Sequence, residues 1–362
     1  MKNVVLPHND ALIDSHFYKT KSKWGRLRRK INSKIVENTL NNSWRFKLYK
    51  SYWHYITHKN DTAVKSGEIQ KQQYLAQAPN YGAGIGHQLA NWNTGLYFAD
   101  YFNLNYAYYP FSTKKWDSFF GFGEGEIHAL SLYRNKAIRK VKLPWFNPDK
   151  PDEVKLIQDI ISSYKEPNTL FELELDQGYT RQCDTTKLIS DKFFKAKSRN
   201  NDQLIYNPDH FNIAVHIRRG DIVIEENTAN ANLEMRWLNN DYYVSILNQV
   251  LDTLKTDKKI DVYVFSQGEE SDFPEFRQYE NLHFCLDMGP VESVLHMIHA
   301  DLLISSKSSF SYKPTLISRG TKVVPGNFWH SYPDDASYIL ADDNGDFDSN
   351  KLLNGLKLNL KT

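Results

Sequence analysis

With 362 residues, 41% of them hydrophobic and 14% aromatic, the chain can fill roughly two cores of ordinary domain size. Its 45 Lys and Arg stand against 43 Asp and Glu, and a net charge of +2 gives no global field for a nucleic-acid partner, so any bound anion has to be held locally. Only Cys183 and Cys285 occur, without C-x-x-C or Cys/His ligand spacing; this argues against a disulfide framework or a structural zinc site and fits a reducing cytoplasm. The first thirty residues lack an uninterrupted apolar stretch of the signal-peptide kind, and no segment approaches the ~20 apolar residues of a membrane-spanning helix, so the expected setting is cytoplasmic.

Residues 1–73 read as a basic, aromatic arm and a polar link. Between Lys19 and Tyr55, Lys and Arg alternate with Trp44, Tyr49, Tyr52 and Trp53. Interruptions by Asn and Ser favour a solvated helical arm that packs its aromatics on the protein body; peripheral contact with an anionic membrane through residues 19–55 is the second reading.

A first α/β lobe is expected over 74–205. It opens on Tyr81-Gly82-Ala83-Gly84-Ile85-Gly86-His87-Gln88, followed by an apolar-periodic run through Leu96, Phe102 and Leu104. Glycines opening a helix expose N–H groups at the positive end of its dipole, where an anion can sit, although no clear buried strand precedes them. A tight turn needing glycine for packing is the alternative. Leu104–Tyr109 reads as a strand, and 151–163 as a helix with Pro151 in its first turn. The polar stretch 190–210 ends the lobe.

The second lobe, 206–335, alternates strand and helix. Strands are predicted at 211–217, 260–266, 281–284, 301–305 and 321–325, with helices at 241–254, 291–300 and 309–319; residues 336–362 read as a polar tail. The pattern predicts a doubly wound parallel sheet with ligands at the carboxyl ends of its strands.

Two charged or hydroxyl-rich segments fall at such ends. His216-Ile217-Arg218-Arg219-Gly220-Asp221 follows a core strand, and guanidiniums there can chelate diphosphate oxygens. Successive strand residues point to opposite faces, so both arginines reach one ligand only if the chain turns at Arg218; otherwise one is structural. Ser305-Ser306-Lys307-Ser308-Ser309 runs from another strand into a helix, which offers hydroxyls, a cation and helix N–H groups to a phosphate, or in the plainer reading a serine N-cap. Glu292 and His296, one turn apart, are candidates for contacting a nucleoside.

At these residues the sequence resembles the α-1,2/α-1,6/O-fucosyltransferase superfamily. His216 to Asp221 looks like its His-x-Arg-Arg-x-Asp motif, 300–316 resembles its downstream serine motif, and 81–91 resembles the Gly-x-Gly-Asn-Gln opening of the α-1,2 group (glycosyltransferase family 11), with His87 in place of Asn. The resemblance spans residues 80 to 330. It implies a GT-B-like fold of two facing Rossmann-like lobes, GDP-fucose as donor in the C-terminal lobe, and a glycan acceptor beside the N-terminal lobe; the basic arm would hold the chain near a lipid-linked acceptor. It also implies inversion at the anomeric carbon without a metal or other cofactor. Under it Arg218 binds the β-phosphate and Arg219 supports it; His216 lies near guanine or diphosphate, and Ser306, Ser308 and Ser309 complete the phosphate shell, while Gly84, Gly86, His87 and Gln88 are further donor-binding candidates. Glu226, ten residues past the motif histidine, is the first candidate base and Asp221 the second. The only Asp-x-Asp, Asp346-Phe347-Asp348, lies in the tail. The rival readings are a glycosyltransferase with another nucleotide-sugar donor and a silent glycan- or nucleotide-binding homologue.

Overall fold

A computed structural model describes residues 43–59, 72–79, 84–111, 114–174, 177, 182–219 and 235–359. The chain divides into two compact units, one of residues 1–63 with 142–164 and one of 64–141 with 165–362.

In the smaller unit a 3-10 turn, Ser43–Leu48, precedes helix α1 (Lys50–Thr57). Arg45, read from sequence as part of a solvated basic arm, is instead buried: its guanidinium pairs with Glu153, donates to the Trp145 carbonyl (3.2 Å) and lies 4.6 Å from the Phe46 ring centre. Trp44 and Trp53 remain half exposed. The predicted helix at Pro151 is found with the same bounds, Pro151–Ser163 (α5), and Pro151 stands at its start, where a missing N–H costs nothing.

The larger unit carries two parallel sheets, which makes the fold α/β, as expected of a GT-B-like chain. The first holds strands β1 (Gln73–Ala76), β2 (Asn105–Tyr108), β3 (Ile127–His128), β4 (Arg139–Lys142) and β5 (Thr169–Glu172) in the order β3-β2-β1-β5-β4. Sequence reasoning found no strand ahead of the glycines, yet β1 is the central one. Its glutamines are buried with their amide nitrogens bonded: Gln73 donates to the Glu166 carbonyl (3.0 Å), and Gln77 to Asn91 (3.1 Å) and the Glu174 carbonyl (3.0 Å). Helix α2 (Ile85–Tyr101) follows it, and the unit also holds α3 (Lys114–Phe120), α4 (Ala129–Arg134) and α6 (Thr186–Lys195); α6 takes up the first residues of the polar stretch expected at 190–210.

The second sheet contains β6 (Phe211–His216), β7 (Ile260–Phe265), β8 (Leu282–Cys285), β9 (Leu302–Ile304), β10 (Thr321–Pro325) and β11 (Tyr338–Ala341). Its order, β11-β10-β9-β6-β7-β8, runs outward from β6 in one direction, then restarts beside β6 with β9 and runs the other way. This doubly wound arrangement has its switch point between β6 and β9. Ile213 and Val215 face a core with α7 (Asn240–Thr253) and the last helix, α10 (Ser349–Asn359). Ala214 faces the opposite core with α8 (Pro290–His299) and α9 (Ser309–Ile317). Residues 338–359, expected to form a tail, supply the edge strand and a packed helix. Leu352 is fully buried on that helix, and Asp346 and Asp348 sit in the turn leading to it. Asn239 is the N-cap of α7, and its side chain accepts from the Tyr242 N–H.

Candidate functional site: a crevice at the switch point

At a switch point the loops leaving two neighbouring strands turn to opposite faces and open a crevice between them. Here those loops start at Ile217 and Ser305, and two hydrogen bonds join them. His216 Nδ1 lies 3.0 Å from Ser306 Oγ, and Arg218 Nη1 donates to Ser308 Oγ at 3.2 Å. His216 and Ser306 are buried, whereas Arg218 keeps partial exposure. Burial first, and the Arg218 and Arg219 cations second, push the His216 imidazole down to about 3, so at neutral pH it is an uncharged hydrogen-bonding wall.

The two arginines part company as strand alternation requires. Arg218 falls on the α9 side with His216. The Arg219 guanidinium goes to the α7 side, donating to the carbonyls of Arg218 (2.8 Å) and Leu238 (3.1 Å) and to Asn240 Oδ1 (2.6 Å), 4.2 Å from the Trp237 ring centre. Asn240 in turn donates to the Asp272 carbonyl and to Glu275. Arg219 therefore fixes the backbone from which Arg218 projects.

Ser308 caps α9, accepting from the Phe310 N–H at 3.2 Å while it receives Arg218. The plainer reading of this serine, a helix N-cap, is what the geometry shows. The first turn of α2 meets the same place. A Cβ on Gly86 would stand 2.6 Å from the Ser309 carbonyl oxygen, so only glycine lets the two helix starts approach this closely. Gly84 is the N-cap of α2 and gives no side-chain cap; His87 is half-buried and Gln88 buried in the following turn. Two positive helix ends, one guanidinium and several hydroxyls gather at one point, a fit for a phosphate-bearing anion.

Three expectations change. The cation of the serine segment, Lys307, pairs with Asp343 at 2.7 Å. His296 is buried, and its ring is spent on main chain: Nε2 accepts from the Ile205 N–H (3.0 Å) and Nδ1 faces the Glu292 carbonyl (2.7 Å). It pins α8 to the segment before β6 instead of presenting a free edge to a nucleoside. Glu292 pairs with Lys115 across an exposed surface, and that contact holds its carboxyl below the usual range. Gly220, Asp221 and Glu226 lie outside the described residues.

Sequence reasoning missed His330. It is buried in the loop after β10, its Nε2 lies 3.1 Å from Ser309 Oγ, and its ring stacks on Tyr312 with centres 4.3 Å apart. Burial, then Lys313, push it down to about 3. The loop has no periodicity to single the residue out; its position just past a predicted strand end was the available signal. Among the described residues no helix is long and apolar enough to cross a membrane, and no three His, Cys, Asp or Glu side chains gather as a metal site would need.

Fold and crevice define a parallel α/β protein with a cationic, hydroxyl-lined crevice at the switch point of its second sheet. No protein-family model matches the chain, and no curated protein does. Among solved structures the chain is similar to fucosyltransferase NodZ from Bradyrhizobium, with 12% identity over 68% of this chain and 93% of that one and a TM-score of 0.41. It is also similar to NodZ α-1,6-fucosyltransferase co-crystallised with GDP (12%, 77% and 97%, 0.43) and to POFUT1 in complex with GDP (12%, 73% and 100%, 0.42).

Proposed function

We propose that the chain is an inverting glycosyltransferase that moves L-fucose from GDP-fucose to a glycan hydroxyl, forming an α-1,2 linkage during synthesis of a surface polysaccharide or glycoconjugate. The observation that carries this is the bonding of the two motif segments across the switch point, His216 to Ser306 and Arg218 to Ser308. Segments 90 residues apart in sequence, each resembling a fucosyltransferase motif, form one crevice.

In this reading the diphosphate lies against Arg218 and the starts of α9 and α2. As the bond from fucose C1 to the diphosphate oxygen breaks, the guanidinium and helix N–H groups stabilise the charge accumulating on the leaving GDP. The acceptor hydroxyl attacks C1 from the opposite face, and a base takes its proton. Glu226 is the proposed base, with Asp221 second. Glu226→Gln is expected to lower kcat by roughly 10²- to 10⁴-fold while GDP affinity stays within about threefold. A variant with unchanged kcat would remove Glu226 from the mechanism.

The donor assignment is tested by calorimetry of the full chain with GDP, UDP, CDP and GDP-fucose, with and without a chelator. Binding of GDP and GDP-fucose that ignores the chelator is the expected result. Preference for UDP or CDP would replace the donor, and no binding at all would favour a silent homologue.

A further inference from the structure

The loop 326–337, between β10 and β11, encloses a pocket of about 710 Å³ that no step above uses. We propose that this pocket binds a neutral oligosaccharide. Rings and an aliphatic surface supply its apolar part: Phe328, Trp329 and Tyr332 come from the loop, and Leu340, 54% exposed, from the edge strand β11. Trp329 keeps 37% of its surface exposed while its ring is held in place, with Phe328 at 4.2 Å between ring centres and the Arg236 guanidinium at 4.7 Å from its centre. A pre-set indole of this kind can cover the C–H face of a pyranose without first losing rotamer freedom.

The polar part suits hydroxyls. Asp334 from the loop, and Lys351 and Asn354 from α10, line the same pocket, and none of their side chains has a hydrogen-bonding or ionic partner among the described residues. A carboxylate, an ammonium and an amide together both accept from and donate to sugar hydroxyls. Asp335, fixed by the Ser337 N–H at 2.8 Å, adds a second carboxylate, so two anions stand against the Lys351 ammonium and the Arg236 guanidinium behind Trp329. That balance favours a neutral saccharide over a uronate or another acidic sugar.

Location ties the pocket to the crevice. His330 lines the pocket and bonds Ser309 at the start of α9, so one imidazole forms a wall between the two. A saccharide seated against Trp329 would extend toward the crevice as the acceptor. This last assignment rests on the proposed transfer reaction; the binding of sugar does not.

The test is saturation-transfer NMR on the full chain with lactose, N-acetyllactosamine, chitotetraose and cellotetraose, and with trigalacturonate as the acidic control. Transfer to at least one neutral sugar is expected, about tenfold weaker binding in Trp329→Ala, near-normal binding in Trp329→Phe, and no displacement by saturating GDP. No transfer to any neutral sugar would overturn the proposal. So would equal binding in Trp329→Ala with an unchanged Tm, preference for trigalacturonate, or displacement by GDP. Sugar binding in a chain that binds no nucleotide would sink the donor reading and keep the pocket, whereas nucleotide binding without sugar would do the reverse.

Discussion

Arg218→Ala is expected to weaken GDP binding by about 30-fold and transfer by roughly 10²- to 10³-fold, with Tm within a few degrees of the parent. Arg218 is partly exposed at a strand end and bonds Ser308 across the crevice. Arg219→Ala should do the opposite. Its buried guanidinium satisfies two carbonyls and the Asn240 side chain, and truncation strands those acceptors at a cost of about 2–4 kcal/mol. Calorimetry with GDP and denaturant unfolding of both variants would separate the two roles. Near-normal GDP affinity in Arg218→Ala would displace the diphosphate from the position argued for it, and an unaltered midpoint in Arg219→Ala would deny it the anchoring role.

That division between neighbouring arginines was legible in sequence, because a residue following a core strand inherits its alternation. The strands of the second sheet were legible for a similar reason: 211–216, 260–265 and 321–325 are short β-branched runs buried on both faces, and their expected and observed bounds agree within a residue. The first sheet hid its central strand, since Gln73 and Gln77 look like solvent residues until their carbonyl and amide partners from distant segments are seen. The edge strand 338–341 was concealed by the acidic turn that follows it, Asp342-Asp343-Asn344-Gly345-Asp346, which reads as a tail; Gly345 takes a positive φ of 88° there. For His296 the spacing from Glu292 was informative and the partner was not: the imidazole meets the Glu292 carbonyl instead of its carboxylate. One-dimensional patterns show which residues share a face; they do not show when main chain will take up a polar side chain.

Buried imidazoles set a second large effect, on stability against acid. Burial, reinforced by neighbouring cations, pushes His216 and His330 down to about 3 and His299 down to about 4. In the unfolded chain the same groups titrate near 6.5. Above that value neither state protonates them and their contribution is fully present; as pH falls below it the unfolded chain takes up protons that the folded chain refuses. Stability should therefore decline with acid from about pH 6.5 down to the folded values of 3–4, each imidazole adding a slope of up to about 1.4 kcal/mol per pH unit. Three together approach ~4 kcal/mol per unit, against a total stability on the order of 5–15 kcal/mol, so unfolding is expected near pH 4–5, before most carboxylates are protonated. Urea midpoints at pH 7, 6 and 5 measure the slope, and His299→Gln, away from the crevice, should reduce it by about a third. A flat profile between pH 7 and 5 would mean that these rings are charged or solvated in the folded chain. It would also remove the physical basis for treating His216 and His330 as neutral walls of the crevice, because an imidazolium beside Arg218 would make a doubly cationic floor with a different pH dependence for any anion bound there.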